Sequence, residues 1–424
     1  MEHMENLYSE KNTKTKSKRK GKDSVKTQRW AILSISSIPL VMTLGNSMLI
    51  PVLPAMEKAL HISPFQTSMI LTVYSIVAII LIPIAGFLSD HIGRKKVIIP
   101  SLIIAGIGGG ISGFAAWKIG DAYWLILLGR ALQGVGAAGA APIVLPLVGD
   151  MFKNEDEVSS TLGLIETANT LGKVLSPILG AFLAGIIWYI PFLAFPFFCV
   201  MSILLMALLV KSPKTTANKI KFKKFLLDTK KVFVNNGRWL SAIFIIGGTL
   251  MFVLFGVLFY LSETLEKIYH IKDLRKGLVL ALPLGALCLS SFITGKKIKE
   301  NKVLMKWITF TGTVILTLAI FALSFSDALW FMITMFFICG VGIGVGLPSL
   351  DALITEGIEK EESGTISSLY SSMRFIGVAA GPPVIAILME NSGDWIFYLL
   401  GGFSVFAAII TLFAIKPDKE TQKA

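Results

Sequence analysis

Four ionisable residues lie deep inside long apolar runs of this sequence: Arg130 in LGRALQG, Glu166 and Lys173 in GLIETANTLGKV, and Arg374 in YSSMRFIG. Placing such a side chain at the centre of a membrane span costs about 2.5–3.5 kcal/mol, so each is a functional candidate. The chemistry open to them is ionic. A carboxylate takes up and releases a proton, and a cation holds an anion. Glu166 and Lys173 are seven residues apart, on one helical face. At a rise of ~1.5 Å per residue, Glu166 lies about 10 Å from the inner end of its run and Lys173 about 10 Å beyond it. Arg130 reaches roughly the depth of Lys173. Two cations at one depth repel unless an anion or a nearby carboxylate intervenes, and that dependence is what coupling requires. Arg130 and Glu166 are therefore expected to couple protons, and Lys173 and Arg374, with the amides of Asn46 and Gln133, to contact substrate. Arg374 lies at about the depth of Glu166, but no ion pair between them is assumed. With three cations to one acid, the spans favour an anionic or neutral amphiphile over a cation.

A second constellation ends an apolar run with GFLSDHIGRKK, residues 86–96. A carboxylate at a helix end accepts hydrogen bonds from exposed amides and pairs with cations. Asp90 and the cations Arg94 and Lys95 thus read as a breakable latch. Asp90 is expected to cap the eleventh run near Ser363 to Thr365, and Arg94 or Lys95 to pair with Asp150.

Other chemistry is not supported. Gly134-x-Gly136-x-x-Gly139 has dinucleotide-binding spacing, but it lies within an apolar run rather than between a strand and a helix. Small residues there let helices approach closely. Gly172-Lys173 lacks the rest of a phosphate loop. The four histidines are scattered, and the three cysteines fall singly inside apolar runs. No enzyme activity, cofactor or metal site is expected.

The elements that carry these residues are membrane spans. Of 424 residues, 54% are hydrophobic and 16% charged, with a mean hydropathy of +0.72. Twelve runs of about 20 residues are each long enough to cross a membrane as a helix. They cover approximately 31–54, 66–88, 97–117, 123–148, 160–186, 188–210, 240–262, 277–295, 304–324, 328–350, 365–389 and 395–415. Without period-two alternation they argue against a barrel. The net charge of +13 resides in particular connections: nine Lys or Arg in 11–29, nine in 211–238 and five in 296–306. All fall on one side if the runs alternate, which places both termini and the central linker in the cytoplasm. That bias, touching anionic lipid, accounts for the charge without nucleic acid. The polar N-terminal tail shows no cleavage signal.

The organisation is six runs, a linker and six runs: a basic tail at 1–29, a bundle at 30–210, a basic linker at 211–239, a second bundle at 240–416 and a tail at 417–424. An internal repeat supports it. Gly134, Gly136 and Pro142 align with Gly340, Gly342 and Pro348, and Asp150 and Pro177 with Glu356 and Pro383, at one offset of 206 (340 minus 134). Duplicated six-helix halves about an axis along the membrane normal are a transporter architecture with the substrate site between the halves.

At these residues the chain resembles the major facilitator superfamily. Gly86, Leu88, Asp90, Gly93, Arg94 and Lys95 match its loop signature G-x-L-x-D-x-x-G-R-K/R, while the second-half equivalent at Ser291–Lys299 has lost its acid. Leu128-Gly-Arg130-Ala-Leu-Gln133-Gly134 resembles the family's span-four motif, whose arginine is implicated in proton coupling. Gly163, Gly172, Ser176-Pro177 and Gly180-Ala181 resemble the antiporter motif of span five, with Ser176 and Ala181 in place of glycines. The resemblance covers about residues 30–416. It implies an all-α fold of two pseudo-symmetric six-helix bundles, with Gly86, Gly93, Gly163, Gly172, Pro177 and Gly180 in helix packing. The twelve runs point to the drug:proton antiporter group, and the charge count leans within it toward siderophore exporters rather than multidrug ones. The expected function is proton-driven efflux of small amphipathic molecules by a monomer in a bacterial cytoplasmic membrane. The rival readings are a lipid flippase, an uptake symporter and a receptor or scaffold.

Overall fold

The computed structural model describes residues 29–152, 155–210, 222–298, 301–357, 360–391 and 395–415, with the side chains of 155, 156, 159, 160, 222–236, 355–357 and 360–365 outside the description. Among the described residues, twelve helices are long and apolar enough to span a membrane. We number them α1 Arg29–Leu60, α2 Pro64–Ile92, α3 Arg94–Lys118, α4 Tyr123–Met151, α5 Glu155–Ile186 and α6 Ile190–Leu209. The second half comprises α7 Phe222–Lys267, α8 Asp273–Ile298, α9 Lys302–Ala322, α10 Leu329–Gly357, α11 Lys360–Asn391 and α12 Trp395–Ala414.

Local chemistry sets the ends. In α1, Pro51 and Pro54 bring a tight turn at Ile50–Val52 before the last helical piece, Leu53–Leu60, because proline removes an amide donor and crowds the preceding turn. A capping box starts α2: Gln66 N donates to Ser63 Oγ at 3.2 Å and Ser63 N to Gln66 Oε1 at 2.9 Å. One residue, Gly93, joins α2 to α3 with φ of 104°. A side chain resists that backbone, which explains the glycine of the loop signature.

The packing repeats with a step of six helices. In the first half α4 packs on α2 and α3, and α3 on α6; in the second, α10 packs on α8 and α9, and α9 on α12. The repeated glycines produce this. A Cβ at Gly134 would strike the Tyr74 carbonyl of α2, and one at Gly340 the Pro283 carbonyl of α8. Gly136 abuts Ser101 and Ala105 of α3 as Gly342 abuts Gly312 and Leu316 of α9. Between halves, α2 meets α11 and α5 meets α8. These two seams exchange under the same step of six.

The helices extend beyond the apolar runs at both ends of the seventh and at the start of the eighth. α7 begins at Phe222, inside the linker drawn as 211–239, and continues to Lys267; α8 begins at Asp273 instead of 277. Hydropathy ends a run at its first charges, whereas a helix continues while its backbone bonds are made. Charged residues such as Glu263, Glu266 and Lys276 are consequently inside helices.

Among the helix-packing residues, Gly180 lies against the Met48 carbonyl of α1, and Gly172 within 3.3–3.4 Å (as a Cβ) of Leu40 and Thr43. The Pro177 carbonyl is 2.5 Å from a Cβ placed on Gly277 of α8. Gly86 faces Ser368 of α11 at 3.5 Å. Gly163 differs: among the described residues nothing lies within 4 Å of its Cβ position.

Candidate functional site

A cavity of about 240 Å³ lies between the halves, lined from the middle of α1, α7 and α11 and the inner half of α4 and α5. One wall is polar: Thr43 and Asn46 from α1, Glu166, Asn169 and Lys173 from α5, and Ser371 and Arg374 from α11. The rest of the lining is mostly apolar and includes Met251, Leu254, Phe255 and Leu258 of α7 and Leu284 of α8. The two-sided lining suits a molecule with a polar and an apolar face.

Helical periodicity brings Glu166, Asn169 and Lys173 onto one side of α5. Neutral donors hold the Glu166 carboxylate: Asn169 Nδ2 is 3.3 Å from each oxygen and Thr170 Oγ1 3.4 Å from Oε1. Thr43 Oγ1 in turn donates to Asn169 Oδ1 at 2.7 Å, tying the group to α1. Among the described residues the Glu166 carboxylate makes no ion pair. Lys173 lines the same cavity, and among the described residues its ammonium makes no hydrogen bond or ion pair. Arg374 differs. Its Nη1 is 3.3 Å from Asp351 Oδ1 on α10, and its guanidinium lies 5.7 Å from the Tyr370 ring centre. Asp351, just past the end of the tenth apolar run, is thus the partner of a cavity cation, and the ratio of three cations to one acid is corrected by it.

Arg130 is fully buried and sits behind the cavity wall rather than in it. Its Nε donates to the Ile70 carbonyl at 2.8 Å, Nη1 to the Gly45 carbonyl at 3.0 Å and to Gln133 Oε1, and Nη2 to Asn46 Oδ1 at 2.7 Å. The Tyr74 ring covers it at 4.6 Å. This guanidinium joins α1, α2 and α4 through neutral acceptors, each satisfying a donor that would be costly to bury unpaired. It is not placed to share a substrate anion with Lys173. Gln133 is likewise spent on Arg130 and does not line the cavity, a correction to its reading as a substrate donor; Asn46 does both.

Where α2 meets α3, Arg94 answers the GFLSDHIGRKK cluster. It pairs with Asp90 one turn before it, donates Nε to Asp150 Oδ2 of α4 at 3.1 Å and Nη1 to Ser89 Oγ at 2.7 Å. Lys95 leaves Asp150 alone and caps α6, donating to the Ala207 and Val210 carbonyls at 3.0 and 2.7 Å. The expected Asp90 cap at Ser363–Thr365 involves side chains outside the described residues.

Sequence reading missed two buried acids at the end of α7, Glu263 and Glu266, which lie against Lys267 and Lys276. The signal was the i, i+4 pair Glu263 and Lys267, which lay just beyond the drawn span.

Comparison with known proteins follows this geometry. The family model described as Major Facilitator Superfamily matches residues 35–382 and 306–424. The chain is 55% identical over 394 residues to the bacillibactin exporter of Bacillus subtilis (strain 168), covering 92% of this chain and 98% of that protein. To the multidrug efflux protein YfmO of the same organism it is 26% identical, covering 92% and 94%. The quinolone resistance protein NorA of Staphylococcus aureus (strain MSSA476) is 24% identical over 87% of this chain and 92% of its own. Among solved structures, a bacterial homolog of the human lysosomal transporter Spinster, inward-facing and unoccupied, superposes with a TM-score of 0.73 at 15% identity, over 92% and 97% of the chains. The human organic anion transporter MFSD10 gives 0.71 at 15% identity, over 90% and 99%.

Proposed function

The chain belongs to the major facilitator superfamily, and from that premise we propose that it is a proton-driven exporter of a catecholate siderophore or a similar amphipathic molecule with an anionic or strongly hydrogen-bonding face. The observation that carries the substrate class is Lys173, a cavity cation without a hydrogen-bond or ion-pair partner among the described residues, in a lining that is otherwise largely apolar. A flat aromatic ligand lies against Phe255 and Leu258 while its oxygens meet Lys173 and the donors of Asn46 and Ser371. The name of the 55% identical relative supports the same class.

Glu166 supplies the proton step. In the cycle, a proton on Glu166 enters from outside, and its release inward restores a carboxylate beside Lys173. Substrate then enters the cavity from inside as the proton leaves, and its release outside precedes the next protonation, so proton and substrate occupy the protein in alternation. The protein acts as a monomer in the cytoplasmic membrane, with both termini inside and no cofactor.

Everted vesicles with an imposed pH gradient test this reading, with a catecholate siderophore and a lipophilic cationic dye compared. Gradient-dependent accumulation of the siderophore is expected, with Glu166→Gln losing accumulation while retaining binding. Accumulation that ignores the gradient, or a Glu166→Gln protein that still concentrates substrate, overturns the proton step; accumulation of the dye alone overturns the substrate class.

A further inference from the structure

Proline has no amide hydrogen, so inside a helix it leaves the carbonyl four residues before it without its usual donor. In a membrane span a hydroxyl from a neighbouring helix can take that carbonyl over. Two spans do so here. Ser291 Oγ of α8 donates at 2.9 Å to the Gly344 carbonyl of α10, four residues before Pro348. Thr72 Oγ1 of α2 donates at 2.8 Å to the Ala379 carbonyl of α11, four residues before Pro383. Pro382 precedes Pro383, so the tighter bond to an amide three residues on is also denied to Ala379.

The first bond stays inside one half; the second joins the two halves. Other threonines of the spans spend their hydroxyls at home: Thr170, Thr309, Thr313, Thr317 and Thr411 each donate to the carbonyl four residues back in their own helix. Thr72 does not. It is 4% exposed and Ala379 6%, so the carbonyl is buried with a donor that arrives only when the halves meet. A buried carbonyl left without one is costly. When the halves part, hydroxyl and carbonyl both pass into water, and a neutral bond so exchanged is readily broken and remade.

The bond lies just beyond the cavity. Tyr74, two residues after Thr72, and Phe375, one turn before Ala379, both line the cavity, with ring centres 6.3 Å apart across the same seam. In the topology proposed above, Thr72 and Ala379 occupy the outer halves of their helices, away from Asp90 and Arg94.

The other seam lacks the device. At the offset of 206, Pro177 aligns with Pro383, Lys173 with Ala379 and Leu278 with Thr72 (72 plus 206). Leucine has no hydroxyl to give. Ser176 stands where Pro382 does, so the Lys173 carbonyl still has an amide three residues on. α8 meets α5 by close packing instead, Gly277 against the Pro177 carbonyl and Ala181. The two seams are equivalent in position and different in chemistry.

We infer that Thr72 and Pro383 form a conditional bond between the halves: the proline withholds a donor from Ala379, and the threonine supplies one only in the state closed on the outer side of the cavity. Thr72 is thus a positioning residue of the transport cycle. It does not line the cavity, and it sets how much of the protein is closed at that end. The inference requires neither the siderophore reading nor the proton step, so its failure is distinct from theirs.

The test is a distance across that end of the seam. Full-length protein in lipid nanodiscs, with Cys199, Cys288 and Cys339 replaced by alanine, carries spin labels at His61→Cys, before α2, and Asn391→Cys, at the end of α11; both positions are exposed. Thr72→Val keeps the shape and removes the donor, and is expected to raise the longer-distance population by about threefold or more. Thr72→Ser keeps the donor and should stay near the parental distribution. Pro383→Ala returns an amide to Ala379, so in that background Thr72→Val should change the population by less than about twofold. Unchanged distances in Thr72→Val refute the inference. An equal effect of Thr72→Val with and without Pro383→Ala refutes the pairing and reduces Thr72 to a packing contact. If Pro383→Ala does not fold, a Thr72→Ser protein that behaves like Thr72→Val refutes it in the same way.

Discussion

Lys173 shows how a single residue is read by what it lacks. Three cations stand in the spans around the cavity; Arg130 is consumed by carbonyl and amide oxygens and Arg374 by Asp351, which leaves one ammonium for substrate. At ~4 Å and an effective dielectric of about 20, one charge contact is worth about 4 kcal/mol before desolvation, against about 1 kcal/mol in water. Lys173→Ala should therefore weaken binding of an anionic substrate by tenfold or more and of a neutral analogue far less, as measured by tryptophan quenching or calorimetry on the purified protein. Equal losses for both would reduce Lys173 to scaffolding. All three cations were legible in the sequence, because a charge inside an apolar run is conspicuous. Their division of labour was not. The partners of Arg130 come from 60 and 85 positions away, and Asp351 lies at the end of its run, where an acid carries no signal of burial.

At the level of helices, glycines that look alike in a motif do different things. Gly93 holds a φ of 104° at a one-residue joint, a conformation that costs a side-chain-bearing residue roughly 1–3 kcal/mol. Gly180 permits contact with the α1 backbone at Met48, and Gly163 faces open space. Three alanine substitutions should thus separate. Gly93→Ala and Gly180→Ala lower the melting temperature of the detergent-solubilised protein. Gly163→Ala leaves it unchanged or raises it, since alanine gains about 1 kcal/mol over glycine in a helix. A loss at Gly163 equal to that at Gly180 would restore the packing role that the motif implied. The number and order of helices followed from hydropathy alone, because each run must satisfy its backbone within itself in lipid. The ends did not, since charge at a terminus records the membrane boundary rather than the end of hydrogen bonding. The outer cluster on α7 and α8 was missed for that reason.

Across the whole molecule, the offset of 206 in the sequence becomes a step of six helices in the packing, down to the glycines Gly134 and Gly340 that admit α2 and α8. Two halves so related meet along two equivalent seams, α2 with α11 and α5 with α8. Orientation is tested by single cysteines in intact cells: an impermeant reagent should label Asp121→Cys and spare Lys224→Cys, and the reverse pattern would invert the topology.

Alternating access then requires the seams to hinge, with the two ends of the cavity opening in turn. The inner end of the α2–α11 seam offers a direct lock. A Cβ at Gly86 would lie 3.5 Å from Ser368 Oγ, so cysteines at the two positions would face each other across the seam. A Gly86→Cys/Ser368→Cys protein, oxidised, should hold these ends together and stop turnover, and a reductant should restore it. The helices beside the bond remain packed in either state, so the loss reports motion and not unfolding, which an unchanged melting curve of the oxidised protein would verify. Full transport by completely cross-linked protein would mean that the inner ends of α2 and α11 do not part during the cycle, and the rocking of one half against the other would have to be abandoned.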